Sequence, residues 1–414
     1  MIYKNRNLFL LYIISIVYFM GCTREKIVNR DIERLKKDIY FLASDSLKGR
    51  EVGTSSEKVA ADYIADRFKN LGLIPKGQEE YFQEFSFTPM KNPHAAPADD
   101  DSIKVTGKNV IGYIDNHESS TVIIGAHYDH LGYGEEGSLH RGEDQIHNGA
   151  DDNASGVASM LLLAEKLKRR NTSNNYLFIA FSGEEKGLFG SNYFTKNPTI
   201  ELDKVNYMIN MDMIGRLDEE NALAINGAGT SPVWISMIER IGIDTLKIVT
   251  KESGVGPSDH TSFYLKDIPV LHFFTGTHED YHKPTDDADK INYGGIYVVT
   301  AFIDSLVTKL DGQPSLAFTK TKDESQDAPR FKVTLGFMPD YMFDGNGMRI
   351  DGISEDRPAQ RAGLETGDIV IKLGSVEVLD MMTYMEALSK FEKGDTTTVV
   401  VKRGSDELSY PVKF

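Results

Sequence analysis

The chain has 414 residues, of which 40% are hydrophobic and 26% are charged, and its formal net charge is −16. This composition is ordinary for a globular protein, and the length allows one large domain and one small domain. Nucleic-acid binding depends on clustered Lys and Arg side chains that contact phosphates. We therefore expect no nucleic-acid partner for an acidic chain without a basic run.

The first 21 residues have the pattern of a secretion signal. Two basic residues precede an apolar run from Leu8 to Met20, which is shorter than the roughly 20 residues needed to span a bilayer. The run ends at Gly21-Cys22, where the chain has its only cysteine. The segment resembles a bacterial lipoprotein signal, which implies cleavage before Cys22, a lipid anchor on its thiol and a location in the cell envelope. Contact with the membrane would be through that anchor only; an uncleaved anchor or an ordinary secretory signal are the alternatives.

Beyond this segment the pattern alternates between helices and strands. Apolar residues at helical spacing predict helices over 31–43, 55–71, 156–170, 231–242 and 292–310. Runs rich in β-branched and aromatic residues predict strands over 110–114, 121–126, 176–181, 205–211 and 268–274. This alternation indicates an α/β fold with a mostly parallel central sheet and helices on both of its faces.

Five short clusters of His, Asp and Glu lie at or beyond the carboxyl ends of predicted strands. They contain His127-Tyr128-Asp129, Asp151-Asp152-Asn153, Glu184-Glu185, Asp212 and Tyr281-His282. Open α/β sheets build their sites at the carboxyl ends of strands, so we expect these clusters to converge. Two His and three carboxylates provide the ligands that two neighbouring Zn²⁺ ions need when they share one carboxylate.

The motifs around these residues resemble those of the M28 family of zinc aminopeptidases, over roughly residues 30 to 310. The motifs are Ala126-His-Tyr-Asp-His130, Gly149-Ala-Asp-Asp-Asn-Ala-Ser-Gly156, Phe181-Ser-Gly-Glu-Glu-Lys-Gly-Leu-Phe-Gly-Ser191, Asn210-Met-Asp-Met-Ile-Gly215, Ser258-Asp-His-Thr-Ser-Phe263 and Tyr281-His-Lys-Pro-Thr-Asp286. The resemblance implies a zinc exopeptidase fold, two Zn²⁺ per chain, and the removal of N-terminal residues from peptide substrates.

The resemblance also implies which residues hold the metal ions. His127, Asp152 and Asp212 would bind one Zn²⁺, and Glu185, His282 and the bridging Asp152 would bind the other. His130 and His260 lie within the matching motifs, and we expect them to support ligands rather than to bind metal.

Three further roles follow from the same resemblance. Glu184 would be the general base, and Tyr281 would help to stabilise the oxyanion. Asp129 would accept the second imidazole N–H of His127 and so fix its tautomer. The resemblance further implies a cis peptide bond after Asp152.

The C-terminal part of the chain reads as a separate domain. Residues 313–330 have the composition of a linker between a peptidase domain at 22–312 and a second domain at 331–414. The second domain resembles a bacterial PDZ domain, through runs at 334–337, 356–364 and 366–371 and a groove helix at 380–392. The resemblance implies a small β-rich fold and a carboxylate-binding loop formed by Leu335, Gly336 and Phe337. Its groove would take the C-terminus of a peptide or protein partner, or would dock within the chain itself.

Three alternative functions are compatible with parts of this pattern. A single-zinc acyltransferase of the glutaminyl cyclase kind is disfavoured because His127 and Asp212 are retained beside Glu185 and His282. An inactive scaffold that carries a PDZ domain is disfavoured because none of the five ligands is missing. Ligand identity does not distinguish an aminopeptidase from a carboxypeptidase.

The long loop over 132–148 is expected to border the site and to restrict access to it.

Overall fold

The computed structural model describes residues 25–88, 104–170, 172–243, 245–322, 332–340, 343, 345–353 and 357–414. The predicted signal, Cys22 and most of the predicted linker lie outside these residues. Within the described part of the chain, none of the helices has the length and apolar character needed to cross a membrane.

A nine-stranded mixed sheet forms the centre of the first domain. Its strands are β1 (Ile74–Pro75), β2 (Phe82–Phe87), β3 (Val105–Ile114), β4 (Thr121–His127), β5 (Asn175–Phe181), β6 (Val205–Met211), β7 (Ala222–Asn226), β8 (Lys247–Lys251) and β9 (Val270–Phe274). Their order is β1-β3-β5-β4-β6-β9-β7-β8, and β2 pairs with β3. The central strands β5, β4, β6 and β9 run parallel, whereas β3 and β7 pair with them in antiparallel fashion. The predicted α/β class is confirmed, and antiparallel strands flank its parallel centre.

Helices cover both faces of this sheet, as predicted. They are α1 (25–42), α2 (Ser55–Asn70), α3 (Gly156–Lys168), α4 (Phe189–Lys196), α5 (Trp234–Ile241), α6 (His260–Tyr264) and α7 (Tyr293–Leu310). Side chains alternate between the two faces along a strand. Phe178 of β5 belongs to a core cluster with residues of α1, α2, α3, α5 and α7 on one face, while Ile179 belongs to a cluster with residues of α4 and α6 on the other.

A short turn over Asp45–Arg50 connects α1 to the region of the site. Gly49 in this turn has φ 68°, and a Cβ at this position would lie 2.5 Å from the carbonyl oxygens of Gly132 and His147. Only glycine fits such a close approach in this backbone conformation. The turn thereby packs directly against the long loop over 132–148, where Gly132 N–H donates to Gly49 O at 3.1 Å.

The C-terminal domain has a hydrophobic core of its own, which includes Leu335, Val370, Leu388 and Val399. Its elements are β10 (Phe337–Pro339), β11 (Met348–Ile353), α8 (Pro358–Ala362), β12 (Ile369–Leu373), β13 (Val376–Glu377), α9 (Met381–Ser389), β14 (Thr396–Arg403) and β15 (Asp406–Lys413). The strand order is β10-β11-β12-β14-β15, with β13 paired to β12. This agrees with the predicted β-rich domain and groove helix.

Part of the stretch predicted as a linker packs against the first domain. Thr319 N–H donates to Thr230 O at 2.8 Å, and the ring of Phe318 lies 5.5 Å from that of Tyr264. Thr321 N–H donates to the hydroxyl of Tyr264 at 3.0 Å. These contacts involve mainly backbone groups of polar residues. Composition does not reveal contacts of this kind, and it therefore predicted a linker. The packed domain therefore extends beyond the predicted boundary at residue 312 to at least residue 321.

We expect a protein that ends at residue 312 to be less stable than one that ends at residue 322. The shorter chain loses the partly buried ring of Phe318 and the backbone hydrogen bonds of Thr319 and Thr321. These losses correspond to about 1–3 kcal/mol of unfolding free energy. Urea unfolding followed by circular dichroism measures the difference, with Lys320→Ala in the longer protein as an exposed control. Equal midpoints for the two proteins would show that the segment contributes nothing.

Candidate metal centre

The carboxyl ends of the parallel strands meet at one edge of the sheet. His127 is the last residue of β4, and Asp212 directly follows β6. Asp152 lies in an irregular segment, Ala150–Ser155, that precedes α3. The structure brings together at this edge all five predicted ligands, namely His127, Asp152, Glu185, Asp212 and His282.

The carboxylate of Asp152 lies between the two histidines. Its Oδ1 is 3.3 Å from His127 Nε2, and its Oδ2 is 3.2 Å from His282 Nε2. On the outer sides, His127 Nε2 lies 3.1 Å from Asp212 Oδ1, and His282 Nε2 lies 3.3 Å from Glu185 Oε2. Two ligands at about 2.0–2.1 Å from a tetrahedral ion are roughly 3.3 Å apart. The spacing therefore suits two ions with Asp152 shared between them.

The charges of these side chains also fit a cation site. The side chains of His127 and Asp152 are only 1% and 5% exposed, so the carboxylates are buried. Burial alone would raise the pKa of Asp152, but the imidazoles of His127, His130 and His282 hold that pKa well below its usual value. For Glu185, burial and Asp152 act upward, but His282 and His130 lower the pKa to about 2. Buried ionised carboxylates require compensating positive charge, which divalent ions bound by oxygen and nitrogen ligands supply.

The two histidines carry the matching electrostatic signature. Burial would lower the pKa of His127, but the carboxylates of Asp212 and Glu184 raise it well above its usual value. Burial likewise opposes the charged form of His282, whose pKa Glu185 and Asp152 nevertheless raise. A metal ligand must be the neutral imidazole, so metal binding at these residues would be accompanied by proton release.

Two groups of His, Asp and Glu within the described residues could each hold a metal ion. One group is His127, Glu184 and Asp212, and the other is His130, Asp152 and Glu185. Glu184 Oε2 lies 4.0 Å from His127 Nε2, farther than either Asp152 or Asp212. His130 Nδ1 lies 2.7 Å from Glu185 Oε1, which leaves Oε2 directed at His282. This contact agrees with a supporting role for His130, whereas His260 stacks on His272 at 4.5 Å.

Glu184 lies at the edge of this cluster, with its side chain 10% exposed. Its backbone N–H donates to Asp129 Oδ1 at 3.2 Å, which fixes the start of the loop after β5. Burial raises the pKa of Glu184 well above its usual value, and the carboxylates of Asp212 and Glu185 raise it further, although His127 lowers it. A raised carboxyl pKa beside the ligands is what a general base working near neutral pH requires.

Asp129 contacts His127 through its backbone. His127 Nδ1 lies 3.2 Å from the carbonyl oxygen of Asp129 and 3.7 Å from its Oδ1. The prediction assigned this contact to the carboxylate, which instead accepts the N–H of Glu184. Either oxygen of Asp129 favours the tautomer of His127 that directs Nε2 at Asp152 and Asp212.

Tyr281 and His282 lie under the long loop over 132–148. The ring of Tyr281 stacks on that of His282 at 3.9 Å and packs against Met213 and Phe274. His282 Nδ1 lies 2.9 Å from Gly137 O, and the carbonyl oxygen of His282 accepts from Leu139 N–H at 2.9 Å. The loop thus borders the site as predicted, and it also fixes the orientation of a ligand.

The predicted peptide-binding residues of the second domain lie at the edge strand of its sheet. Leu335 is buried in the core, and Gly336 has φ 75° and donates its N–H to Thr334 Oγ1 at 3.1 Å. Phe337 begins β10, and its ring lies 5.1 Å from that of Tyr384 on α9. Phe337 therefore packs the edge strand β10 against α9, next to the buried Leu335.

Sequence reasoning missed two buried side chains that hold the segment around Asp152. Arg50 and Asp286 are 0% and 1% exposed, and both contact the main chain of residues 148–152. Asp286 closes one of the motifs quoted above, but Arg50 has no distinguishing pattern around it. The implied cis peptide bond between Asp152 and Asn153 is present.

Comparison with known protein families assigns both domains. Residues 109–307 match peptidase family M28, and residues 317–414 match the PDZ domain family. The first match covers the strands that carry His127, Glu185 and Asp212, as well as the loop with His282. Arg50 lies outside it.

Several curated proteins are similar in sequence. Aminopeptidase YwaD of Bacillus subtilis is 30% identical over 284 residues, which are 65% of this chain and 55% of that protein. The alkaline phosphatase isozyme conversion protein of Escherichia coli is 26% identical over 258 residues, which are 61% of this chain and 67% of that protein. The chain thus spans about half the length of the Bacillus aminopeptidase that it matches.

Solved structures share the fold at lower sequence identity. BSAP, a zinc aminopeptidase from Bacillus subtilis, has a TM-score of 0.53 at 18% identity, over 69% of this chain and 98% of that one. A glutaminyl cyclase from Porphyromonas gingivalis has a TM-score of 0.54 at 16% identity, over 67% and 98% of the two chains. Residues 109–307 thus match peptidase family M28 and residues 317–414 match the PDZ domain family, and together with the similar aminopeptidase these matches support a metallopeptidase, a hydrolase, with a C-terminal PDZ domain.

Proposed function

We propose that the chain is a dizinc aminopeptidase that removes N-terminal residues from peptides. The observation that carries this proposal is the position of the Asp152 carboxylate between the two histidines. One of its oxygens lies near His127 and the other lies near His282. Asp212 would complete the ligands of the first ion, and Glu185 those of the second. Such a pair of bound Zn²⁺ ions would supply Lewis acidity for the scissile carbonyl and would lower the pKa of the attacking water.

The residues of the chain provide the proton transfers. Glu184 takes a proton from the water as the water oxygen attacks the carbonyl carbon. Glu184 then passes this proton to the amine as the C–N bond breaks. The raised pKa of Glu184 favours acceptance of this proton. Tyr281 stacks on His282 and is proposed to face the carbonyl oxygen as negative charge develops on it.

A preference for chain ends follows from the walls of the site. The loop over 132–148 is held against His282 by the contacts of Gly137 and Leu139, and it closes one side of the metal cluster. The positively charged amino terminus of a peptide would be attracted by the buried carboxylates, of which Asp212 and Glu184 remain partly exposed. Both features favour an exopeptidase that recognises a free N-terminus.

The proposal is tested on the protein from residue 23 to residue 414. We expect about two Zn²⁺ per chain, hydrolysis of aminoacyl chromogenic substrates, and loss of this hydrolysis on treatment with a chelator. Peptides with a blocked N-terminus should not be cleaved, because the amino group is the recognition element. Preferential cleavage of blocked peptides, or release of C-terminal residues, would refute aminopeptidase activity.

A glutaminyl cyclase activity is the second candidate, because a solved glutaminyl cyclase shares the fold. A peptide with N-terminal glutamine separates the two activities by mass spectrometry. Hydrolysis releases free glutamine, whereas cyclisation leaves a pyroglutamyl peptide and ammonia. The presence of both His127 and Asp212 at 3.1 Å from one another favours hydrolysis.

We further propose that Cys22 carries a lipid that anchors the protein in the bacterial cell envelope. The proposal rests on the apolar segment that ends at Gly21-Cys22. Metabolic labelling with a fatty acid should mark the full-length protein, and Cys22→Ser should abolish the label. Labelling that survives this substitution would refute the anchor.

The PDZ domain is proposed to bind the C-terminus of a peptide or protein along the edge strand β10, beside α9. The separate core of this domain supports its study alone, as residues 331–414. Titration with two sets of peptides, one with a free C-terminal carboxylate and one with a C-terminal carboxamide, measures the interaction. Absence of binding to any free C-terminus would favour the alternative, in which the groove of this domain docks against another part of the same chain.

A further inference from the structure

The segment that carries the bridging ligand is an irregular helical turn, in which Ala154 N–H donates to Gly149 O at 3.3 Å. Gly149 has φ 56°, and the backbone angles of Asp152 and Asn153 are not helical. Backbone polar groups in a buried segment of this kind require partners from elsewhere. Two buried side chains, Arg50 and Asp286, provide them from opposite sides.

Arg50 satisfies the carbonyl groups of this segment. Its Nη1 donates to Asn148 O, and its Nη2 donates to Gly149 O at 2.7 Å and to Asp152 O at 3.3 Å. The remaining donors reach Leu42 O at 3.0 Å and Tyr128 O at 2.6 Å. All five donors of the guanidinium are therefore used on backbone carbonyl groups.

Asp286 satisfies the N–H groups of the same segment. Its Oδ2 accepts from Asp151 N–H at 2.9 Å and from Asp152 N–H at 3.1 Å. The carbonyl oxygen of Asp286 accepts from Ala150 N–H at 3.0 Å. The segment is thus held through its carbonyl groups by a cation and through its N–H groups by an anion.

The charge of Arg50 has a second effect on the site. Burial lowers the pKa of Arg50 to about 10, and the carboxylates of Asp152, Asp129 and Asp286 act in the opposite direction. The guanidinium thus stays charged at neutral pH, yet its five donors all go to neutral carbonyl groups. A buried positive charge therefore lies behind the acidic ligands and offsets part of their mutual repulsion.

From these contacts we propose that Arg50 and Asp286 are positioning residues, which clamp the main chain of residues 148–152 and hold the carboxylate of Asp152 between the two metal sites. The inference rests on the proposed dizinc centre. Because Asp152 is shared, any displacement of this segment should weaken both sites together. Because neither residue reaches the substrate cleft, substrate binding should change little. Arg50 lies outside the residues that match peptidase family M28, so part of the centre depends on the N-terminal region.

The test measures zinc affinity in full-length variants by competition with a chromogenic chelator. Arg50→Lys keeps the charge but provides three donors in place of a planar fork of five. We expect the affinity for both Zn²⁺ ions to fall by about 10- to 100-fold, as for other residues that orient ligands. We also expect kcat to fall while KM stays within about twofold. Arg67→Lys, in a half-buried arginine that pairs with Asp38 on α1, is the matched control and should leave zinc affinity unchanged.

Asp286 provides an independent arm if Arg50→Lys does not fold. Asp286→Asn retains a side-chain oxygen that can accept from the N–H groups of Asp151 and Asp152, whereas Asp286→Ala does not. We expect the loss of zinc affinity to be clearly smaller for the asparagine than for the alanine. Near-UV circular dichroism of the metal-free proteins establishes that each variant is folded.

The outcomes separate this inference from the proposed function. Wild-type protein that binds two Zn²⁺ and folded variants that bind them equally well would overturn the clamp while leaving the metal centre intact. Lower thermal stability with unchanged zinc affinity would mean that Arg50 and Asp286 serve the fold alone, which also overturns it. Wild-type protein that fails to bind two Zn²⁺ would overturn the dizinc centre and the clamp with it.

Discussion

Peptide hydrolysis should fall by roughly 10²- to 10⁴-fold in Glu184→Gln, while the variant keeps both metal ions. Glutamine has nearly the same shape as glutamate but cannot accept and return a proton at neutral pH. Glu184 Oε2 lies 4.0 Å from His127 Nε2, beyond the spacing of the ligand pairs, so its removal should leave metal binding intact. The measurement combines steady-state kinetics with a zinc count on the same preparation.

The neighbouring residue provides the matched control for this experiment. Glu185→Gln is the same chemical change one position along, but Glu185 Oε2 faces His282 at 3.3 Å, and His130 contacts its other oxygen. This variant should lose affinity for one zinc ion and lose activity as a consequence. Added zinc should restore part of the activity of Glu185→Gln and none of that of Glu184→Gln. A Glu184→Gln protein that retains full activity with both metal ions bound would refute the assignment of the base.

The convergence of the candidate ligands could be predicted from the sequence because strand ends are visible in it. His127 ends a run of apolar residues, and Asp212 follows another, so each stands where a parallel sheet directs side chains toward its site. Periodicity also located α2, α3, α5, α7 and the parallel strands to within a few residues, whereas α1 begins at residue 25 rather than at the predicted residue 31. The family resemblance then assigned roles that spacing alone leaves open, including the sharing of Asp152.

The flanks of the sheet were harder to predict. The strands β7 and β8 are short, and β8 is largely exposed, so neither forms the long apolar run that marks a buried strand. The packed segment around Phe318 was hidden for a related reason. Apart from the ring of Phe318, backbone groups make most of its contacts, and its polar side chains give it the composition of a linker.

Arg50 was not predictable for a different physical reason. A single arginine in a sequence is almost always a surface residue, and only the tertiary structure brings five carbonyl groups around it. The same applies to Asp129, whose backbone carbonyl oxygen lies nearer to His127 Nδ1 than its carboxylate does. Backbone carbonyl and N–H groups are present whatever the side chain is, so contacts to them cannot be inferred from residue identities. Support of this kind is recognised only in a structure.

Removal of the bridging carboxylate is expected to have the broadest effect on the centre. Asp152→Ala takes away the oxygen 3.3 Å from His127 and the oxygen 3.2 Å from His282 in one change. Both ions lose a ligand, so we expect zinc affinity to fall by more than about 100-fold at both sites, beyond the effect of altering a residue that only orients a ligand. Activity should be undetectable at zinc concentrations that saturate the wild-type protein.

Comparison with a variant at an outer ligand tests whether the two ions share the carboxylate of Asp152. Asp212→Ala removes a carboxylate that lies 3.1 Å from His127, on the side of the cluster away from His282, so the ion beside His282 and Glu185 should remain bound. Isothermal titration of the metal-free proteins would then give one tight site for Asp212→Ala and none for Asp152→Ala, while the exposed Asp62→Asn on α2 would give two. One tight site in Asp152→Ala would mean that the ions do not share this carboxylate. Sharing would also account for the surrounding architecture, because a ligand on which two ions depend must be held more firmly than a ligand of one, and Arg50 and Asp286 contact the carbonyl and N–H groups of this segment.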